Sequence, residues 1–153
     1  MTLIATRTRH VGLNAQLLSG HNTYRAAGIH RYIGGLLDHL PAADPRFTYT
    51  AFTGPSAPIL DAALHTERTS LPTTKPLGRI AWEQFVQPVA ARQSRLDLFH
   101  VMAYVSPLVA TVPTVVTIHD LSFLRSPDSF RFANRTYLSL FTGLSCQRAR
   151  RVI

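Results

Sequence analysis

Pro113-Thr114-Val115-Val116-Thr117-Ile118-His119-Asp120-Leu121 is a short β-branched run that stops abruptly on a histidine and an aspartate. A run so rich in Val, Thr and Ile reads as a strand buried on both faces in a parallel sheet. Ligands of such sheets bind just beyond the strand C-termini, so His119 and Asp120 stand where an α/β protein does its chemistry. On either side of this run, strand and helix patterns alternate. Val11–Leu18 reads as the first strand, Ser19 to Ala27 as a polar loop, and a helix starts near Gly28. Its apolar positions Ile29, Tyr32, Ile33, Leu36, Leu37 and Leu40 fall at helical spacing, and Pro41 is expected to stop it.

Phe47–Phe52 reads as a second strand. The Pro-, Ala- and Thr-rich residues 55–76 predict a short helix and a weak strand near Thr66–Leu71. A helix over Leu77–Arg95 is expected to kink or split at Pro88. The strands Leu96–Val101 and Thr114–Ile118, a loop over Ser122–Ser129 and a long helix over Phe130–Arg150 follow. Alternation of this kind predicts βαβ units and an α/β fold with a Rossmann-like parallel sheet carrying helices on both faces. The domain is expected to span residues 11–153 behind an N-terminal extension of residues 1–10. Arg150-Arg151-Val152-Ile153 looks like the opening of another strand, and the chain is expected to be the first half of a two-domain enzyme.

At 153 residues and 46% hydrophobic content, the chain is long enough for one domain with a core of its own. Its formal net charge is +8, nearly all of it from arginine, which favours phosphate or acidic head groups as partners. The single Cys146 leaves no internal disulfide and no cysteine-based metal cluster. No segment reaches the roughly 18 uninterrupted apolar residues that span a bilayer, and residues 1–10 lack the apolar stretch of a signal peptide. A cytoplasmic location is expected, with peripheral contact at the inner face of the membrane left open.

Three groups of residues are candidates for chemistry. The loop from Ser19 through Gly20 to Gly28 leads into a helix start, whose free N–H groups and positive dipole end suit a diphosphate. With only Gly20 and Gly28 present it is neither a dinucleotide fingerprint nor a Walker loop, and an ordinary loop in which Gly28 serves tight packing is the alternative. His119 and Asp120 form the second group. They supply a hydrogen-bond donor or a general acid or base, unless Asp120 merely caps the next turn and His119 is a packed imidazole. His100 reads as packed, and Glu83 as a helical neighbour of Arg79 with no catalytic role. The last helix is the third group. Arg131, Arg135, Arg148, Arg150 and Arg151 beside the stripe Tyr137, Leu138, Phe141 and Leu144 fit either an anionic membrane or a core-facing helix with a solvated charged face. Nucleic acid is disfavoured, because the arginines are scattered and no binding motif appears.

Taken together, Gly28-Ile29-His30-Arg31-Tyr32-Ile33, Arg79-Ile80-Ala81-Trp82-Glu83-Gln84, Asp97-Leu98-Phe99-His100, the run from Pro113 to Arg125 and the tail Arg148–Ile153 resemble the N-terminal domain of glycosyltransferase family 4. These are retaining enzymes of the GT-B architecture. The resemblance implies transfer of a hexose, mannose among the candidates, from a nucleotide-sugar donor to an acceptor hydroxyl in polysaccharide or glycolipid synthesis. It implies no obligatory metal and no cofactor beyond the donor itself. Carried onto this chain, it places Gly20, Ala27 and Gly28 at the donor diphosphate, His119 with Asp120 at the reacting sugar, and Tyr104 and Arg125 on a sugar or lipid-linked acceptor. The C-terminal donor domain of that family has no counterpart in residues 1–153, so this chain alone is expected not to turn over. The alternative is a non-catalytic module that binds an acceptor or anionic lipid.

Overall fold

The computed structural model describes residues 8–18, 27–73, 75–125 and 132–153. Strand β1 (Arg9–Ala15) leads to helix α1 (Ala27–Ala43), followed by β2 (Phe47–Thr53) and β3 (His65–Arg68). A broken helix comes next, formed by α2 (Pro76–Ala81), a π-helical turn (Trp82–Val86) and α3 (Gln87–Gln93). The chain continues through β4 (Leu98–Val101), β5 (Thr114–Val116), α4 (Ser122–Arg125), α5 (Phe132–Arg148) and β6 (Arg151–Val152). The six strands lie in the order β3-β2-β1-β4-β5-β6, and every neighbouring pair is parallel. The order reverses between β1 and β4, which makes the C-terminal ends of those two strands the natural ligand crevice.

Each face of the sheet has its own core. On one face, α1 lowers Ile33 and Leu37 onto Val11, Leu13, Ala15 and Ala51. On the other, Trp82 and Ala91 of the broken helix cover Phe52, Phe99, Val101 and Val116. Gly12 in the central strand is required by this packing. A Cβ there would collide with the Leu96 side chain and lie 2.8 Å from Phe99 and 3.1 Å from Phe52. Gly12→Ala is therefore expected to cost about 1–3 kcal/mol in urea unfolding through overpacking; an unchanged midpoint would show that this core yields freely.

Several boundaries differ from the sequence expectation. β1 starts two residues earlier than Val11 and ends at Ala15, because the chain turns there with Leu18 N–H donating to Ala15 O at 3.0 Å. Pro41 does not stop α1 at once but sits in its last turn, where it removes the bond to the Leu37 carbonyl, and the helix ends two residues later at Ala43. Residues 55–64 form turns instead of a short helix: Ala57 bonds back to Gly54, and Asp61 accepts the Ala63 and Leu64 N–H groups. The helix over 77–95 breaks at 82–86, upstream of Pro88. A proline disturbs the carbonyl four residues before it, here Gln84, at the centre of the widened turn. There Gln87 N–H reaches Trp82 O across five residues. The expected loop at Ser122 begins with α4, while 126–131 lie outside the described residues.

Candidate functional site

Parallel strands bring the ends of β1, β4 and β5 to one edge of the sheet. Thr117, just past β5, is buried, and its hydroxyl shares hydrogen bonds with Tyr32 Oη of α1 at 3.0 Å and His100 Nε2 at 2.8 Å. Two residues on, His119 Nε2 lies 2.8 Å from Met102 O. A carbonyl only accepts, so Nε2 carries the proton and Nδ1 is left without a hydrogen-bond partner among the described residues. The imidazole meets the Tyr32 ring edge to face, with centroids 4.9 Å apart, and the Tyr104 ring at 5.9 Å.

Tyr32 follows Gly28 by one helical turn on the same face. The first turn of α1 and the His119 imidazole thus share one edge of the sheet. Ala27 is the first residue of α1. Gly28 is exposed, and a Cβ built on it meets no described atom within 4 Å. Among the described residues nothing packs against Gly28, and the first N–H groups of a helix have no partner within the helix itself. Gly20 and most of its loop lie outside the described residues.

Tyr104 adopts a left-handed backbone, φ 55°, which is uncommon for an aromatic residue. It is held there by its N–H donating to Thr117 O at 3.0 Å, by its ring against Phe123, and by its hydroxyl donating to Asp120 Oδ2 at 3.2 Å. Burial, with Asp120 beside it, pushes the Tyr104 hydroxyl up to about 12. Asp120 accepts the Ser122 N–H and hydroxyl at 2.8 and 2.6 Å, bonds that hold its carboxyl below the usual range. Its oxygens are engaged in starting α4, the turn-capping role open to it from sequence. Arg125 ends α4, exposed and without an ion pair among the described residues. His100 is a packed imidazole, held down at about 4 by burial and so neutral at pH 7. Among the described residues no group of three or more metal-ligating side chains converges.

One feature went unread in the sequence. Glu83, 6% exposed, lies in the π turn with Arg79 Nε at 3.8 Å and accepts the Tyr137 hydroxyl of α5 at 2.6 Å. Burial lifts its carboxyl to about 7, against the opposing pull of Arg79 and Tyr137. A cavity of about 20 Å³ joins this cluster to Leu17, Ala103 and Tyr104. The Arg79 spacing was visible as a helical pair. The signal that pointed further was Glu83 as the one acid in residues 75–95, set next to Trp82.

Compared with protein-family models, with curated proteins and with solved structures, the chain matches none.

Proposed function

We propose that this chain forms the acceptor-side wall of a retaining, family 4-type glycosyltransferase, with the donor nucleotide held mainly by a second domain. The observation that carries the reading is the shared edge: the His119 imidazole packs against Tyr32, one turn from the exposed Gly28 in the first turn of α1. In glycosyl transfer the bond from the anomeric carbon to phosphate breaks and negative charge grows on the departing diphosphate. Backbone N–H groups already aimed at that position stabilise the charge without reorganising. His119 Nδ1, without a hydrogen-bond partner among the described residues, meets a hydroxyl of the transferred sugar, while Met102 O fixes the ring through Nε2. Tyr104 and Arg125 border the same edge, on the side given to the acceptor. Asp120 acts by holding Tyr104 and starting α4.

The test is hexose transfer by a polypeptide in which the source reading frame is extended through the proposed donor domain. His119→Ala is expected to lower kcat/KM by more than about tenfold, the low end for a positioned hydrogen-bonding or acid-base group. Unchanged turnover would remove His119 from the mechanism. A reading frame that continues into no second βαβ domain would count against the two-domain reading itself.

A further inference from the structure

We propose that the layer formed by α2, the π turn, α3 and α5 is a docking face for an anionic phospholipid bilayer. The inference stands apart from glycosyl transfer and rests on how charge and apolar surface are divided over the molecule. Residues 27–73, which build α1, β2 and β3, carry three arginines against four acids. Residues 75–95 carry Lys75, Arg79, Arg92 and Arg95 against the single acid Glu83, which is buried and engaged by Arg79 and Tyr137. Residues 102–113 carry no charged side chain, and residues 132–153 carry four arginines and no acid. Most of the net charge of +8 therefore belongs to the helices of this layer together with the residues that flank them, β6 included. Such one-sided charge attracts an extended anionic partner.

The same layer exposes large apolar side chains. Phe85 is 73% exposed, Val89 54% and Val109 75%. The loop bearing Val109 is pinned, on both sides of that residue, to the helix that carries Phe85 and Val89. Leu108 N–H donates to Gln84 Oε1 at 3.0 Å, and the Thr111 hydroxyl donates to Pro88 O at 2.9 Å. Arg92 lies one turn beyond Val89. Next to that loop, Arg148 and Arg150 border an open cleft of about 540 Å³ whose opposite wall is residues 110–114. Neither arginine has an ion-pair partner among the described residues.

A nucleic acid would use the arginines and could stack a base on Phe85, but it would gain little from the exposed valines. A bilayer uses both, taking the apolar side chains into the boundary of head groups and acyl chains while lipid phosphates meet the arginines. The last helix is not the apolar element of this contact. Its Tyr137 donates to Glu83, its Thr142 and Ser145 are buried, and Ser145 Oγ accepts the Ser106 N–H. The stripe of that helix is half-buried, and the apolar contact falls to the neighbouring broken helix, with the arginines at the end of α5 as its charged rim.

The experiment is cosedimentation of the chain with phosphatidylcholine vesicles, with and without phosphatidylglycerol, at low and high salt. The chain is expected to sediment with the anionic vesicles only, and less at high salt. The exposed pair Phe85→Ser and Val89→Ser is expected to weaken partitioning by about tenfold, and the pair Arg148→Ala and Arg150→Ala by about thirtyfold. Failure to sediment at low salt, or sedimentation unaffected by loss of Phe85 and Val89, would overturn the proposal. Retention on double-stranded DNA without vesicle binding would overturn it in favour of a nucleic-acid partner.

Discussion

Trp82→Ala is expected to lower the free energy of unfolding by about 3–5 kcal/mol, the range for removing a large aromatic side chain from a packed core. Trp82 is 2% exposed and lies over β2, β4 and β5 at once, with its ring 6.4 Å from that of Phe52. It is carried by the π turn, so its loss opens a cavity where the helical layer meets the sheet. A domain has about 5–15 kcal/mol in all, so the variant retains little margin. Urea unfolding followed by circular dichroism measures the effect. A midpoint shift worth less than about 1 kcal/mol would mean that the second core is not organised around this ring.

The second large effect depends on pH. Burial lifts the Glu83 carboxyl from 4.5 to about 7, so the folded chain keeps a proton that the unfolded chain has released. The stability associated with that proton is fully present below about pH 4.5 and is lost as the pH rises to about 7, because the unfolded state binds fewer protons throughout that window. Glu83→Gln removes the titration and leaves an oxygen to accept the Tyr137 hydroxyl. Relative to the parent chain, the variant is expected to gain about 3 kcal/mol between pH 4 and pH 8. Unfolding curves collected across that range give the comparison directly. Parallel stability profiles for the two chains would show that Glu83 titrates in the folded state as it does in water.

Residues with strong local signals announced their elements. The β-branched Thr114–Val116, the helical spacing of Ile29 through Leu40 and the strand opening at Arg151 each lie in an element of the expected kind. Placement of His119 at the C-terminal edge of the sheet follows from the same reasoning, since a parallel strand has only one C-terminal end. Features that depend on distant chain were not readable. The burial of Glu83 is completed by Tyr137, 54 residues away. The left-handed backbone of Tyr104 is imposed by Thr117 and Asp120 across the edge of the sheet. The break lies at 82–86 and not at Pro88 itself, because the steric demand of the proline falls on Gln84, four residues upstream. In residues 55–64 a helix was expected from composition, but Asp61 and the glycine turn took the backbone bonds that a helix needs.

The central claim is that the first turn of α1 and the imidazole of His119 address one ligand. The most direct test is a titration of the ¹⁵N-labelled polypeptide, extended through the proposed donor domain, with a nucleoside-diphosphate hexose, followed at the Gly28 and Ile29 amides and the His119 ring nitrogens. The account predicts that amides and imidazole shift together along a single saturation curve, with Nδ1 moving more than Nε2. Shifts at Gly28 without any at His119, or shifts confined to the cleft at Arg148 and Arg150 on the opposite edge, would contradict it.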